Sequence, residues 1–258
     1  MTVVGRGNSR RVAIVTGAGA GIGLCTANLL TRNGFLVAGL DVTAASIERL
    51  KSETAAAGAE ALGFVQDVRD GAGVAGVIEA IVAAAGTPHS LVNVAGVGHV
   101  GTLHETSLED WDRVIGVNLT GTFVMCRAIL PLFVAAGEGV IVNVASIAGV
   151  VAVRERAAYC AAKSGVVGLT RAITADYAHR GIRANAVCPG TVATEFVERI
   201  VAAAADPAAT RQAMSARQLD GRMGTPEEVA AGIAFLLTPE ARFVNGSAFV
   251  MDGGLTAV

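Results

Sequence analysis

The sequence has few aromatic residues, few prolines and few charges for its length. Of its 258 residues, 4% are aromatic, six are proline and 16% are charged. Its 20 basic and 22 acidic residues leave a formal net charge of −2. A near-neutral chain offers little attraction to nucleic-acid phosphates or anionic lipids, so we expect neither as a partner. A hydrophobic content of 52% excludes a disordered chain and predicts a large core.

Cysteine and histidine patterns typical of metal sites or disulfide frameworks are missing. The four cysteines lie far apart with no CxxC spacing, and the four histidines form no HExxH pattern. We therefore predict no metal site and no disulfides, and we expect reduced thiols, most of them buried.

Two stretches, 12–31 and 80–104, contain no charged residue. Glycines and polar residues interrupt both, so neither is suited to a lipid-facing helix. Three arginines from Arg6 onward precede an apolar run, as in a signal peptide, but Thr16 and several glycines break that run. We expect no membrane segment and a cytoplasmic protein.

Short apolar runs alternate with helix-length segments along the chain. The predicted strands are 11–16, 36–41, 61–65, 90–94, 139–144, 183–187 and 247–251. The predicted helices are 22–32, 44–57, 71–85, 108–135, 157–179 and 226–237. Several strands are rich in Val and Ile without polar alternation, as in strands covered by helices on both faces. The alternation predicts an α/β fold with a doubly wound parallel sheet of about seven strands.

We expect a single domain over residues 1–258, because no linker or internal repeat divides the chain. Residues 191–223 interrupt the alternation with an alanine tract and no clear strand, and their length suits a lid over a substrate. Asp70, Ser107 and Thr225 have the features of helix N-caps.

Glycine is abundant, with 32 residues, and several are concentrated after the first predicted strand. The turn Thr16–Gly23 leads into a helix, where bare backbone can approach a pyrophosphate. Asp41 ends the second strand, where a carboxylate can accept hydrogen bonds from both ribose hydroxyls of an adenosine. A glycine turn alone could be merely structural. Together with Asp41, it indicates a dinucleotide site.

These motifs resemble those of the short-chain dehydrogenase/reductase family, and the resemblance extends along nearly the whole chain. Residues 16–23 match its TGxxxGxG turn, 93–96 its NNAG motif with Val94 in place of the second Asn, and 189–194 its PGxxxT segment. The family implies a Rossmann-type fold. The turn and the resemblance indicate these cofactor-binding residues: Gly17, Gly19, Ala20, Gly21, Ile22, Gly23, Asp41, Asp67, Val68, Asn93, Ala95, Gly96, Tyr159, Lys163, Pro189, Gly190, Val192 and Thr194.

Four residues form the candidate catalytic set. Tyr159 and Lys163 are four residues apart and share one helix face, and Ser146 precedes Tyr159 by 13 residues. A nearby ammonium and a positively charged nicotinamide favour the phenolate and lower the pKa of the tyrosine. By resemblance, Asn118 holds a water that connects Lys163 to solvent. Each residue alone could be structural, but their joint order favours an active site.

The sequence thus predicts an oxidoreductase that transfers hydride between a nicotinamide and a secondary alcohol or ketone. Asp41, with no basic residue in the glycine turn, predicts NAD over NADP. One alternative is a 3-oxoacyl-acyl-carrier-protein reductase, a subgroup that the segment 224–230 also resembles. Another is a non-catalytic nucleotide-binding sensor. By resemblance, we expect a homotetramer assembled through the two long helices and the C-terminal strand.

The substrate is less well indicated. By resemblance, its pocket is walled by Val97–Val100, Ile147, Ala148, Val153 and the lid, most of them apolar. The charges at 154–156 could suggest an acidic substrate, but we favour a solvated charge run.

Overall fold

The computed structural model describes residues 10–258 and contains a seven-stranded sheet in which all strands are parallel. The strands are β1 (Val12–Thr16), β2 (Leu36–Asp41), β3 (Ala61–Val65), β4 (Ser90–Asn93), β5 (Gly139–Val144), β6 (Ile182–Pro189) and β7 (Ala248–Met251). Their order is β3-β2-β1-β4-β5-β6-β7. The predicted fold class is confirmed. The first nine residues of the predicted domain, Arg6 among them, lie outside the described residues.

Helices connect the strands and cover both faces of the sheet. They are α1 (Gly21–Arg32), α2 (Ala44–Ala56), α3 (Gly71–Ala85), α4 (Leu108–Ile115), α5 (Gly121–Ala136), α6 (Ala157–Tyr177), α7 (Glu195–Ala202), α8 (Pro207–Ser215) and α9 (Pro226–Leu236). The side chains of Asp70, Ser107 and Thr225 cap α3, α4 and α9, as predicted. Each side chain accepts a hydrogen bond from a backbone N–H of the first turn that has no partner within the helix.

The core has two layers, one on each face of the sheet. Along β1, Ala13 and Val15 pack with α1 and α9 on one face, while Val12 and Ile14 pack with α3 and α5 on the other. Every residue of β1 is buried, because successive side chains point to opposite covered faces. This explains why its sequence shows no polar alternation.

The predicted helix 108–135 is not one regular helix. A π-helical turn, Gly116–Thr120, separates α4 from α5. Gly116 and Gly121 border this turn, and glycine is a weak helix former, so the regular hydrogen-bond pattern is interrupted at low cost there. The prediction of a continuous α-helix is therefore wrong at this point.

The predicted lid, 191–223, contains the helices α7 and α8. No helix is predicted there from the sequence, because both helices are short and lie beside the alanine tract, although the apolar residues of α7 do follow a helical spacing. The Thr194 side chain caps α7 and the Asp206 side chain caps α8. The four cysteines are free, with Cys126 and Cys188 buried and the other two partly exposed.

By length and composition, the segment Leu108–Ala136 could cross a membrane, and it is the one such helix among residues 10–258. Its α5 part packs Met125, Ile129 and Phe133 into the core beside the sheet. Core helices of globular proteins meet the same criterion. The absence of a membrane segment stays a prediction.

The strand order reverses between β1 and β4, since the chain winds from β1 towards β3 and then returns to β4 on the other side of β1. Ligands of doubly wound sheets bind in the crevice that such a reversal opens at the carboxyl ends of the strands. Here the hydroxyl of Thr16, which is 1% exposed, accepts hydrogen bonds from the N–H groups of Val94 and Ala95 at 3.0 and 3.1 Å. Thr16 therefore fixes both sides of the crevice.

We expect Thr16→Val to destabilise the protein by about 1 kcal/mol, because it leaves two partly buried N–H groups without an acceptor at nearly unchanged volume. Urea unfolding monitored by circular dichroism measures the change. Thr16→Ser retains the hydroxyl and serves as the control. Equal stability of the valine variant and the natural protein would contradict this role.

Candidate active site

A cavity of about 1070 Å³ lies at the carboxyl ends of the strands, above the crevice between β1 and β4. Ser146, Tyr159, Lys163 and Asn118 all line it, together with the glycine-rich turn. Of the predicted cofactor-binding residues, those on the wall are Gly17, Gly19, Ala20, Gly21, Ile22, Asp41, Asp67, Val68, Ala95, Gly96, Tyr159, Lys163, Pro189, Gly190, Val192 and Thr194. The structure thus brings nearly the whole predicted set to one site.

The glycine-rich turn has a shape that side chains would block. Gly17 and Gly21 have φ angles of +64° and +48°, in the left-handed region that favours glycine. A Cβ on Gly17 would lie 3.0 Å from the backbone of Ala95, and one on Gly19 would lie 2.2 Å from the Cβ of Ser46. Bare backbone therefore reaches the cavity wall at the N-terminus of α1, an arrangement that suits a pyrophosphate.

Asp41 lies at the end of β2 on the same wall. Its Oδ2 accepts a hydrogen bond from the N–H of Gly19 at 3.0 Å, and its Oδ1 accepts one from Val42 at 2.8 Å. The carboxylate is thus held against the glycine-rich turn, where the ribose of a dinucleotide would follow its pyrophosphate.

Two predicted cofactor-binding residues do not line the cavity. Gly23 lies behind the turn, where a Cβ would be 2.0 Å from the carbonyl oxygen of Gly17. Asn93 is buried, and its side-chain amide donates to Asn143 Oδ1 at 2.8 Å. Asn143 in turn donates to Thr170 Oγ1, so these residues form a polar chain inside the core. Both residues therefore support the site from behind the cavity wall, and their direct contact with a cofactor stays a prediction.

Asp67 and Val68 lie in the loop after β3. The Asp67 carboxylate pairs with Arg69 at 2.6 Å, and hydrogen bonding from this guanidinium lowers the pKa of Asp67. Val68 is buried against Gly121, where a Cβ would be 2.5 Å from its side chain. No sequence pattern indicates the pairing between Asp67 and Arg69.

The loop after β6 is anchored at several points. Gly190 packs on the C-terminal segment, since a Cβ there would lie 2.9 Å from Asp252 Cα. The N–H of Ala193 donates to the carbonyl of Gly224 at 2.9 Å. The N–H of Thr191 donates to Gln218 Oε1, a side chain that is 3% exposed. Sequence reasoning missed Gln218, because no motif marks a lone buried amide.

Ser146, Tyr159 and Lys163 are positioned by β5 and α6. Ser146 follows β5, and its Oγ accepts a hydrogen bond from the N–H of Ala148 at 3.1 Å. The Lys163 ammonium donates to the carbonyl of Val144 at 2.8 Å and lies 5.6 Å from the centre of the Tyr159 ring. The end of β5 and the first turns of α6 therefore bring the three side chains together.

Asn118 comes from the π-helical turn. Its Nδ2 donates to the carbonyls of Val97 and Val114 at 2.8 and 2.9 Å, while its buried Oδ1 has no partner within the described residues. A Cβ on Gly96 would lie 2.7 Å from that Oδ1 and 3.6 Å from the Lys163 ammonium. The glycine thus leaves a polar gap between the two groups, which suits the predicted water relay.

Burial dominates the titration of the two central groups. It raises the pKa of Tyr159, while Ser146 and the Arg156 guanidinium act in the opposite direction. Burial lowers the pKa of Lys163 to about 8. In the protein without cofactor, desolvation of the phenolate is the larger effect on the pKa of Tyr159, and the lowering expected from Lys163 together with a nicotinamide stays a prediction.

The walls predicted for the substrate are only partly correct. Val97, Ile147, Ala148 and Val153 line the cavity, whereas Val100 does not. The predicted lid adds α7 and α8 residues, including Phe196, Ile200 and Met214. The Phe196 ring packs directly on the backbone of Gly98, where a Cβ would lie 2.6 Å from the ring.

Comparison with known proteins identifies the group to which these features belong. A family profile described as Enoyl-(Acyl carrier protein) reductase matches residues 17–256. The 2-(S)-hydroxypropyl-CoM dehydrogenase 3 of Xanthobacter autotrophicus is 41% identical over 248 residues, covering 96% of this chain and 97% of that protein. The chain belongs to the short-chain dehydrogenase/reductase family.

Two further comparisons agree with this membership. The cis-4-hydroxycyclohexanecarboxylate dehydrogenase of Sinomonas cyclohexanicum is 42% identical, covering 99% of this chain and 100% of that protein. The crystal structure of an actinorhodin polyketide ketoreductase variant with NADPH superposes with a TM-score of 0.93 and 35% identity, covering 96% of this chain and 98% of the other. The protein is therefore an oxidoreductase of this family that uses a nicotinamide cofactor.

We expect Lys163→Met to move the rise of alcohol oxidation with pH upward by about one pH unit, because loss of a cation near the phenol disfavours the phenolate. Natural protein and variant should differ most below pH 8, since the pKa of Lys163 is about 8 and the ammonium is charged there. The pH profile of kcat/KM measures the shift. Lys51→Met removes an exposed lysine as the control, and an unchanged profile for Lys163→Met would place the titrating group elsewhere.

Proposed function

We propose that the protein is an NAD-dependent dehydrogenase that interconverts a secondary alcohol and a ketone. The observation that carries this proposal is the presence of Ser146, Tyr159, Lys163 and Asn118 on the wall of one cavity that also contains the glycine-rich turn. The relatives named above as dehydrogenases of hydroxyl compounds support the same reaction class.

The residues around the crevice fit a dinucleotide. Backbone N–H groups of the glycine-rich turn would bind its pyrophosphate, and the Asp41 carboxylate would accept hydrogen bonds from the adenosine ribose. By family resemblance, Val192 and Thr194 would hold the carboxamide. When bound, the nicotinamide supplies the hydride acceptor or donor at its C4 atom.

Side chains of this protein accept or donate the proton of the substrate hydroxyl group. In oxidation, Tyr159 Oη takes the proton of the alcohol, while Ser146 Oγ hydrogen-bonds the same oxygen and orients it. The positive charge of Lys163 stabilises the phenolate, and the gap beside Asn118 gives the ammonium a route for proton exchange. In reduction, Tyr159 donates the proton instead.

We expect Tyr159→Phe to lower turnover by at least about 10²-fold, because the proton acceptor is lost. Cofactor binding, measured by quenching of protein fluorescence, should change by only a few fold. Tyr177→Phe alters the other tyrosine of the same helix and should retain activity. Near-normal turnover of the Tyr159 variant on a panel of secondary alcohols would overturn the assignment.

The preference for NAD is argued from charge. A 2′-phosphate would place its negative charge against Asp41. The nearby Arg49, on α2, is already engaged by Glu53 at 3.0 Å and by Glu195 at 2.5 Å, so its guanidinium is not free to offset that repulsion. Lost hydrogen bonds and repulsion of about 3 kcal/mol would give roughly 10²-fold discrimination.

We expect Asp41→Ala to reduce this preference, mainly by weakening NAD. Asp41→Ala combined with Val42→Arg should shift the preference toward NADP, and Val42→Arg alone isolates the effect of the arginine. The measurement is kcat/KM for each cofactor at one fixed alcohol concentration. Equal values in the natural protein, or a preference for NADP, would show that Asp41 does not select the cofactor.

A second candidate is a 3-oxoacyl-acyl-carrier-protein reductase. The description of the matching family profile and the NADPH-bound ketoreductase favour it. Reduction of acetoacetyl-CoA with NADPH, as a stand-in for the carrier-protein thioester, separates the two functions. Faster thioester reduction than alcohol oxidation would replace our proposal. Absence of turnover in both assays would favour the nucleotide-binding sensor.

We further propose that the protein is cytoplasmic and assembles as a homotetramer. Exposed apolar side chains on the helices predicted as interfaces and next to the C-terminal strand support assembly. They include Leu108 and Phe123 on the long helical segment, and Phe243 before β7.

A further inference from the structure

The cavity is lined by more positive than negative side chains, although the whole chain has a net charge of −2. Six arginines and Lys163 lie on its wall, with three carboxylates. The arginines are Arg49, Arg69, Arg113, Arg156, Arg199 and Arg217, and the carboxylates are Asp41, Asp67 and Glu195. This concentration of positive charge is local to the site.

Three of these arginines are neutralised by carboxylates. Arg49 pairs with Glu195, Arg69 with Asp67, and Arg113 with Asp110. Arg156, Arg199 and Arg217 form no ion pair with any of residues 10–258. Their charges remain available to a ligand.

Arg156 is held in place by its surroundings. Its Nη1 donates to the carbonyl of His99 at 2.9 Å, and the N–H of Gly101 donates to the carbonyl of Glu155 at 2.9 Å. Glu155 has a φ angle of +57°, which is unfavourable for a residue with a side chain. The two hydrogen bonds to the 99–101 loop and the strained conformation of Glu155 thus fix the backbone at Arg156.

Of the sequence-predicted charge run, only part is solvated. Arg154 and Glu155 are exposed, but Arg156 is partly buried and lines the cavity. The interpretation of 154–156 as a solvated charge run is therefore wrong for Arg156. A partly buried cation whose described contact is a neutral carbonyl loses hydration without gaining an opposite charge.

Arg156 lines the same cavity as Tyr159 and Arg217. Arg156 and Tyr159 are three residues apart at the start of α6, which places them on one side of the helix. Burial lowers the pKa of Arg156, the Tyr159 phenol raises it, and the Arg217 guanidinium lowers it. Both arginines line the same cavity, so their like charges act on one shared space.

We propose that the alcohol substrate carries an anionic group, a carboxylate or a sulfonate, that Arg156 and Arg217 bind while Tyr159 and Ser146 hold its hydroxyl. This inference rests on the proposed function and names its substrate class. A guanidinium offers paired N–H donors that match two oxygens of either anion. Binding would supply the opposite charge that both arginines lack.

The cofactor phosphates do not account for these two arginines. The glycine-rich turn, where a pyrophosphate fits, follows β1, whereas Arg156 contacts the 99–101 loop and neighbours Tyr159. Arg217 follows α8 in the predicted lid. Arg156 thus belongs to the part of the cavity beside Tyr159, and Arg217 lines the cavity from the lid, next to Gln218, which accepts a hydrogen bond from Thr191 in the loop after β6.

The test compares matched probes that differ in charge. The probes are 4-hydroxycyclohexanecarboxylate, 4-hydroxycyclohexanesulfonate and the neutral 4-hydroxycyclohexanecarboxamide, each assayed for kcat/KM with a saturating cofactor. We expect an anionic probe to be preferred at least about 10-fold. Arg156→Met should reduce kcat/KM for that probe by about 10²-fold, and Arg217→Met by about 10-fold, with smaller losses for the carboxamide. The preferred anion tells carboxylate from sulfonate.

Controls separate charge recognition from damage to the fold. Arg154→Met removes an exposed neighbouring arginine that does not line the cavity and should leave the preference unchanged. Arg156→Lys keeps the charge but not the paired donors and should restore part of it. Thermal unfolding verifies that each variant is folded.

Equal kcat/KM for charged and neutral probes, or equal losses for both in Arg156→Met, would overturn the inference. If no probe is oxidised, calorimetric binding of cyclohexanecarboxylate and cyclohexanecarboxamide in the presence of NAD decides. Preferential binding of the anion that Arg156→Met weakens at least about 10-fold supports the inference, and its absence overturns it. Failure of the proposed function is a different result, the lack of turnover of every secondary alcohol with either cofactor.

Discussion

In a sheet of parallel strands, all carboxyl ends reach the same edge, and the rest of the site depends on this constraint. The glycine-rich turn follows β1, Asp41 ends β2, and Ser146 follows β5. None of these groups is near the others in the chain. The reversal of strand order beside β1 opens the edge there, and the hydroxyl of Thr16 sets its width by holding the backbone that follows β4. A dinucleotide can enter only because glycines keep that opening free of side chains.

Much of this arrangement could be predicted from the sequence. Buried parallel strands lack polar residues, so their boundaries are marked by where polar and glycine residues begin. Tyr159 and Lys163 have a helical spacing, and they lie on one face because α6 is long and regular there. Such local patterns carry their own geometry, which is why these candidate residues could be predicted to lie together without a structure.

Other features depend on contacts between distant segments and could not be predicted in this way. Asn93 occurs in a cofactor motif, yet its amide turns to Asn143 on the neighbouring strand. In the sequence, Arg156 resembles its neighbours as one of three surface charges. In the structure, its guanidinium donates a hydrogen bond to the carbonyl of His99 in the 99–101 loop. Gln218 has no sequence neighbours that suggest burial. In each case the partner that decides the role lies at least 25 residues away.

The site must exclude water from the reacting groups and must also stabilise their charged forms, and these two requirements conflict. Burial protects the reacting groups from water, but it also opposes the charged forms that the chemistry needs. The Lys163 ammonium retains one backbone carbonyl as its described hydrogen-bond partner, and burial raises the pKa of Tyr159. Charge on a bound ligand would act strongly here, since few surrounding groups screen it.

The π-helical turn also changes the phase of the long helical segment. One extra residue rotates everything after it by about 100° relative to an uninterrupted α-helix. As a result, α4 directs Val114 toward the start of α6, while α5 directs Met125 and Phe133 toward the sheet. The continuous helical segment thus packs against α6 through α4 and against the sheet through α5, with no loop between the two helices. Deleting one residue from the turn would restore regular helix and put one of these two stripes out of register.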